Sequence, residues 1–534
     1  MAGKKKSTDV VLSIDAGTQS IRLALIDFSG NILKIVKTEI EPYYSVSPGW
    51  AEQDPEYFWK NLVKSSKKLF RDLPVKNESI KAVTITTQRN TMINLDIKGK
   101  PLRPAIVWLD RRKAELGNWP PLYFKTALKA LNLYEAVIYA IMESEANWIA
   151  QNQPELWEKT DKFLFLSGYL TYRLTGELTD STGNQVGYVP FDFKKQTWAD
   201  EKDIKWKMFP AIRKEQLPNL VKSSETMGRI SKKASSETGI PEGIPVIAAA
   251  TDKACEVLGA GCLTPDIACL SFGTTATIET TNSKYVEIIP FLPPYPSAVP
   301  GSYNTEVMIY RGYWMVSWFK NEFAQNEVLL AKKKGISPEI LLDQMAGSIP
   351  PGSMGLMLQP FWSPGVKVPG PEAKGAIIGF GDVHTRAHVY RAILEGLSYA
   401  LKEGAIRTEK RNKVKIEKLR VSGGGSQSRT AMQLTADIFN LPAEKPHTYE
   451  TSALGAAIDA AVGIKAFSDF KSAVNSMTGV SETFEPDRKN SEIYGELFDK
   501  VYMKMYKKMQ PLYEEIRDIT DYPPFYGKGK KKGA

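Results

Sequence analysis

Two aspartates and three glycine sites carry most of the chemistry that this sequence can do. Asp15 closes an apolar run, Val10-Val11-Leu12-Ser13-Ile14, and is followed at once by Ala16-Gly17-Thr18-Gln19-Ser20. An acid at a strand end followed by Gly-Thr suits a polyanion that travels with a metal. Glycine lets backbone N–H groups approach a phosphate, and hydroxyls add donors. A second Gly-Thr, Gly273-Thr274, sits nearly half the chain further on. The third site is Ser422-Gly423-Gly424-Gly425-Ser426, preceded by the strand-like Leu419 and Val421 and followed by a helical pattern to Asn440. Strand, triple glycine, helix suits a ligand lying on backbone at a helix N-terminus. Asp252 follows the apolar stretch Val246–Ala250. From spacing alone, it is either a proton acceptor at the mouth of a cleft or a carboxylate capping the helix that starts at Lys253.

The elements that must hold these residues alternate strand and helix patterns. Val10–Ile14 and Ile21–Asp27 read as strands around a tight turn, and Asp266–Thr281 repeats the phrase. Two β-turn-β units at half-length spacing predict two similar domains facing a shared cleft. Ile80–Thr86 and Pro245–Ala250 read as strands, and Tyr57–Leu69 as a helix with Phe58, Leu62 and Leu69 on one face. This alternation is the mark of α/β layers. A boundary is expected near Gly239–Gly243. It divides the chain into an N-terminal domain, 9–249, and a C-terminal one, 250–520, between basic tails 1–8 and 527–534. Pro290–Pro300 and Pro350–Pro371 read as extended Pro/Gly-rich segments. Tyr494, Phe498, Tyr502, Met505 and Met509 recur at helical steps, which predicts a docked amphipathic helix near the C-terminus.

Composition narrows the classes. The 534 residues are 43% apolar and 24% charged, which excludes wholesale disorder, and three cysteines are too few for a disulfide scaffold. No uncharged apolar run approaches the roughly 18–20 residues of a membrane span. The net charge is +10, but Lys4–Lys6 and Lys528, Lys530, Lys531 and Lys532 hold most of it, so the body is an ordinary solvated surface. The reading is of a protein of the cytoplasm with no membrane partner and no specific nucleic-acid partner. No G-x-x-x-x-G-K-[ST] occurs, and no G-x-G-x-x-G follows a strand convincingly. Cys255, Cys262 and Cys269 lack a nearby histidine and read as buried thiols. His384 and His388 lack a third ligand, and Thr385 reads as a helix cap between them.

In order along the chain stand DAGTQSIR (15–22), TTQRNT (86–91), IVWLDRR (106–112), ATDKACEVLGAG (250–261), LSFGTTA (270–276), SGGGSQS with MQLTADIFNLP (422–442) and TSALGAAIDAAVG (451–463). This series resembles the FGGY carbohydrate kinases, which share the actin-like ATPase fold. The resemblance implies two ribonuclease H-like α/β domains around a central cleft, the first mainly binding substrate and the second mainly binding nucleotide. It also implies ATP-dependent phosphorylation of a sugar or polyol hydroxyl, with ATP and Mg2+ as cofactors. Matched residue by residue, Asp252 is the catalytic base and Asp15 holds magnesium. Thr18, Gln19, Ser20 and Arg22 form the first phosphate loop, and Gly273 and Thr274 the second. Gly424 and Gly425, with Gln427 and Ser428 near the base, face the adenosine, and Gly312 faces the nucleotide.

Substrate residues depart from the pattern. The Gln-Arg-Glu triplet of glycerol kinase-like members is Gln88-Arg89-Asn90 here, and the residue after the base is Lys253. The spacing that would place a family tyrosine falls on Ala140. Arg89, Asn90, Trp108, Asp110 and Lys253, beside Asp252, are the pocket candidates. Arg89 and Lys253 are expected to make it electropositive, suited to an acidic or heavily hydroxylated substrate. Xylulose- or ribulose-type ketoses and linear polyols are the substrate classes implied. The rival is a non-catalytic ATP-binding sensor or scaffold on the same fold, which the presence of both Asp15 and Asp252 disfavours. The resemblance leaves a homo-oligomer open.

Overall fold

Every residue of Val10–Ala16 is buried, because this strand lies inside a six-stranded sheet. The computed structural model describes residues 8–522 apart from 118, 131–132, 291 and 366–368; the tail lysines and Phe291 of the proline-rich segment lie outside the described residues. The sheet order is Thr226–Arg229, Pro245–Ala248, Ile80–Thr87, Val10–Ala16, Ser20–Asp27, Ile32–Glu39. Pro245–Ala248, Ile80–Thr87 and Val10–Ala16 run parallel, and the flanking pairs are antiparallel. The expected hairpin is present, with Asp15 opposite Arg22.

A second sheet repeats this plan. Its order is Val480–Phe484, Ala443–Pro446, Lys418–Ser422, Ile267–Phe272, Ala276–Asn282, Tyr303–Ile309, with Tyr295–Pro296 beyond. Ala443–Pro446, Lys418–Ser422 and Ile267–Phe272 are parallel, while Val480–Phe484 and Ala276–Asn282 pair antiparallel at the two sides. The echo between the Gly-Thr hairpins therefore extends to whole sheets: each is built on a hairpin followed by two parallel strands, with one antiparallel edge beyond.

The chain divides into two compact units. One comprises residues up to Leu263 with Thr281–Thr305 and Glu450–Gly479; the other comprises Thr264–Thr280, Glu306–Tyr449 and the chain from Val480. This differs from the single boundary expected before residue 250. The reason is packing. The Asp252–Gly259 helix lies against the Thr451–Gly463 helix, and both cover the first sheet. Ser13 Oγ donates to Ala453 O across that contact at 2.8 Å.

In the first unit, alternation along the strands splits the core. Val10, Leu12 and Ile14 face the Pro55–Arg71 helix through Phe58, Leu62 and Leu69. Val11 and Ile247 face the alanine-rich pair of helices. Those helices meet at glycines. A Cβ on Gly455 would lie 1.9 Å from Cys255 O, and one on Gly259 would lie 1.9 Å from Thr451 O.

In the second unit, the Arg386–Asn412 helix is buried along much of its length and starts at Thr385, which caps it with His388 as expected. The expected C-terminal helix is longer and interrupted: Arg488–Leu497, a π-helical turn at Phe498–Tyr502, then Met503–Thr520. Tyr494, Phe498 and Tyr502 pack around Tyr399. The two proline-rich segments are not wholly irregular, since Tyr295–Pro296 and Met357–Gln359 pair as short strands. Cys255 is on a helix and Cys269 on a strand, and all three thiols are buried. Among the described residues, no helix is long and apolar enough to cross a membrane.

Three stability predictions rest on this packing. Gly455→Ala must push two backbones apart and should cost on the order of 1–3 kcal/mol in denaturant unfolding. Gly495→Ala, where a Cβ meets nothing within 4 Å, should be neutral or stabilising by up to about 1 kcal/mol. Asp459 is fully buried among alanines, Ser224 Oγ donates to its Oδ1 at 3.3 Å, and burial holds its pKa well above the carboxylate range. The native state thus keeps a proton that the unfolded chain releases, so stability falls as pH rises above about 4. Asp459→Asn should remove that slope, and its advantage over wild type should grow between pH 4 and 7 in unfolding titrations.

Candidate active site

The C-terminal ends of the three parallel strands gather the expected residues of the first unit, which is where open α/β sheets bind ligands. Val10–Ala16 delivers Asp15 and the turn to Ser20, Ile80–Thr87 delivers Gln88-Arg89-Asn90, and Pro245–Ala248 leads to Thr251 and Asp252. The turn is closed by Gly17 N donating to Ser20 O at 3.1 Å. Thr18 and Gln19 stay accessible, whereas Ser20 is buried as the first residue of its strand.

Asp15 is 3% exposed, and its carboxyl is pushed up to about 7. Burial is the main cause; the charges of Asp252 and Glu450 add to it, and Arg22 opposes it. Arg22 Nη1 lies 3.1 Å from Asp15 Oδ2 and 3.5 Å from Glu450 Oε2. A buried acid with further acids acting on it, and one arginine against them, is the setting a cation would relieve. Among the described residues, no three His, Cys, Asp or Glu side chains lie close enough to hold a metal between them. That donor set fits a magnesium ion that keeps water and phosphate oxygens as most of its ligands.

Asp252 is the first residue of its helix, and the cap position belongs to Thr251. Asp252 Oδ1 accepts from Lys253 N at 2.8 Å. Burial raises its pKa, with Arg89 and Lys253 pulling the other way. A raised pKa makes a carboxylate a better proton acceptor near neutral pH. Arg89 Nε donates to Thr251 Oγ1 at 3.4 Å, and its guanidinium sits 4.7 Å from the Tyr295 ring centroid.

The pocket candidates separate on inspection. Trp108 Nε1 donates to Thr18 Oγ1 at 3.0 Å, which joins it to the first Gly-Thr turn. Asp110 is occupied: Oδ1 accepts from Arg112 N and Nε, and Oδ2 accepts from Arg112 Nη2 and Ala51 N. Arg112 also stacks 3.9 Å over Trp50. Lys253 Nζ donates to Glu256 Oε2 at 2.8 Å, so its charge is offset locally and the expected electropositive pocket is weakened. Asn90 Nδ2 donates to Glu145 Oε1 at 2.6 Å. Ala140 packs into a neighbouring apolar cluster.

In the second unit, the Gly-Thr turn and the glycine loop share one aromatic support. Tyr313 N donates to Gly273 O at 3.1 Å, and Trp314 N to Thr274 O at 3.4 Å. Tyr313 stacks on Phe272 with centroids 4.4 Å apart. A Cβ on Gly312 would fall 2.2 Å from Ala276 N, so Gly312 is bare to let that segment close on the hairpin. A Cβ on Gly425 would fall 2.5 Å from the Tyr313 ring, whereas one on Gly424 meets nothing within 4 Å. Of the two, Gly424 presents the open face. Gln427 Oε1 accepts from Lys445 Nζ at 3.3 Å. Ser428 Oγ caps the Arg429–Phe439 helix by accepting from Ala431 N, and it donates to Asp343.

Glu145, Glu450, Tyr295, Tyr313 and Asp343 were not singled out in the sequence. Glu450 alone had a local signal, standing directly before the small-residue helix Thr451–Gly463.

Two sheets of one plan, each built on a Gly-Thr hairpin, define the class: a two-domain α/β protein of the actin-like ATPase fold. Family models described as the N-terminal and C-terminal domains of the FGGY family of carbohydrate kinases match residues 10–259 and 268–464, and the chain belongs to that family. It is similar to a xylulose kinase of Staphylococcus epidermidis, 28% identical over 519 residues covering 96% of this chain and 99% of that one. It is also similar to glycerol kinase 2 of Thermotoga maritima, 30% identical over 510 residues covering 92% and 97%. The crystal structure of a xylulose kinase from Rhodospirillum rubrum matches with a TM-score of 0.78 at 23% identity over 95% of this chain and 100% of that one. The protein is a carbohydrate kinase, an ATP-dependent phosphotransferase acting on a hydroxyl of a sugar or polyol.

The aromatic support makes the two loop glycines unequal. Gly425→Ala should lower the thermal unfolding midpoint by several degrees, the effect of about 1–3 kcal/mol of overpacking. Gly424→Ala should leave it within a degree or so, as differential scanning calorimetry of both variants would show.

Proposed function

We propose that Asp252 is the general base of this kinase, and that the acceptor is a xylulose- or ribulose-type ketose or a linear polyol. The observation that carries the assignment is the position of Asp252: at the C-terminal end of the parallel strands, its carboxyl raised by burial and faced by Arg89. The names of the xylulose kinase and glycerol kinase relatives support the substrate class.

On the first unit, Arg89, Asn90, Trp108 and Lys253 border the acceptor beside Asp252, and Asp110 acts at a remove by fixing Arg112. Asp15 would hold magnesium, with Arg22 beside it, while Thr18, Gln19 and the turn to Ser20 would meet phosphate oxygens. On the second unit, Gly273 and Thr274 meet phosphate, and Gly424, with Gly425, Gly312 and Ser428 shaping its surroundings, meets the nucleoside. Magnesium supplies charge neutralisation on the phosphates when bound. Asp252 takes the proton from the acceptor hydroxyl as its oxygen bonds to the γ-phosphorus and ADP departs. Positioning and charge carry such a transfer, and the protein forms no covalent bond.

Asp252→Asn should lower kcat by ~10²–10⁴, the span typical of a lost general base. ATP affinity in calorimetry should change less than about threefold, because the base does not touch the nucleotide. Near-normal turnover of this variant in coupled ADP release would place the base elsewhere.

A further inference from the structure

The triplet Gln88-Arg89-Asn90 lacks the acid of the resembling pattern, yet the fold brings a carboxyl to it from another element. Glu145 opens the Glu145–Asn152 helix, is 8% exposed, and accepts from Asn90 Nδ2 at 2.6 Å. Asn90 is held in a left-handed conformation, φ 46°. A Cβ on Gly187 would come 2.5 Å from Asn90 Oδ1 and 2.7 Å from the Phe165 ring, so the amide lies over a position where only glycine fits. Asn90 Oδ1 is buried and has no hydrogen-bond partner among the described residues, and the same holds for both amide atoms of Gln88. Desolvated polar atoms left unmet cost about 1–3 kcal/mol each. All three belong to the segment that also carries Arg89 to Thr251, the residue before Asp252.

An amide whose NH2 is turned onto one partner directs its acceptor oxygen to the opposite side. We propose that Glu145 is a positioning residue of the acceptor site: it accepts a hydrogen bond from Asn90 Nδ2 and thereby turns Asn90 Oδ1 toward a substrate hydroxyl, selecting neutral polyhydroxylated acceptors over sugar acids. The inference rests on the acceptor site proposed above. A hydroxyl donates to Asn90 Oδ1, whereas a substrate carboxylate brings no proton and meets another oxygen. Burial first, then Glu143 and Asp110, push the Glu145 carboxyl up to about 8, and Asn90 opposes them. Glu143 is itself paired with Lys113 and Asp110 with Arg112. Lys113 and Arg112 are thereby committed to carboxylates.

The test is coupled ADP release by the full-length enzyme with D-xylulose, glycerol and D-gluconate, on wild type, Glu145→Ala, Glu145→Gln and Gly187→Ala, with the thermal midpoint of each recorded. Glu145→Ala should raise KM for the preferred neutral acceptor ~10-fold while kcat moves less than about threefold, because ground-state and transition-state binding are lost together. The kcat/KM ratio of neutral acceptor to gluconate should narrow by a similar factor as the amide becomes free to turn. Glu145→Gln, whose Oε1 still accepts from Asn90, should restore both. Gly187→Ala, which displaces the Asn90 amide from the other side, should reproduce the KM rise if Glu145→Ala does not fold. Unchanged KM and selectivity in Glu145→Ala or Gly187→Ala, or a wild type that prefers gluconate, overturns the inference while leaving the kinase assignment standing. A wild type that releases no ADP above background with any acceptor, in a panel widened to other ketoses and polyols, overturns the proposed acceptor class itself.

Discussion

The first unit is organised around buried negative charge. Asp15 is buried at the end of a parallel strand, and the charges of Asp252 and Glu450 add to the burial that raises its pKa. Isolated buried carboxylates are costly, and they persist only with partners. Arg22 is placed against Asp15 by strand register, since the two are directly opposite in the hairpin. Arg89 is placed near Asp252 by the neighbouring parallel strand and is held flat by Tyr295. Each arginine offsets part of the charge and leaves the rest. A folded chain that retains this residual repulsion holds it for a ligand that brings positive charge or a proton to be removed, and a metal-borne phosphoryl donor with a hydroxyl acceptor brings both.

Close backbone approach is the second constraint, and it explains glycines that a ligand-centred reading assigns to nucleotide. Gly259 and Gly455 let two alanine-rich helices, one of which opens at Asp252, touch backbone to backbone. Gly312 and Gly425 bring their segments against the second Gly-Thr hairpin and the Phe272–Tyr313 stack. A side chain at any of these positions would have to displace a neighbouring backbone or ring. Gly424, with open space where its Cβ would be, is different in kind, though the three consecutive glycines look alike as letters.

Local signals were legible and distant juxtapositions were not. The Asp15 and Gly273 hairpins announce themselves because strand, glycine turn and strand are contiguous, and register then follows from the turn. The helix at Pro55–Arg71 is written in its apolar spacing. The unit boundary was hidden because Glu450–Gly479 returns to the first sheet from nearly two hundred residues beyond Leu263. No local pattern marks a helix as belonging to an earlier sheet. Glu145 was hidden for the same reason, 55 residues from Asn90. Its type and position at a helix start have an ordinary explanation as a favourable charge at the helix dipole.

This last case bears on how carboxylates are read from motifs. The triplet at 88–90 has an amide where the resembling pattern has an acid, and the one-letter comparison suggests a lost acceptor. On the reading proposed above, the Glu145 carboxyl bonded to Asn90 Nδ2 stands behind the amide, and the amide faces the acceptor. An acceptor oxygen is thus still offered to the site, but with much less charge, since the acid behind it is raised to about 8. A neutral acceptor oxygen accepts a hydroxyl more weakly than a carboxylate does, so charge-assisted grip is given up. What remains is directional: one oxygen, fixed by one committed N–H group over a glycine, which discriminates by geometry and by the presence of a proton on the substrate.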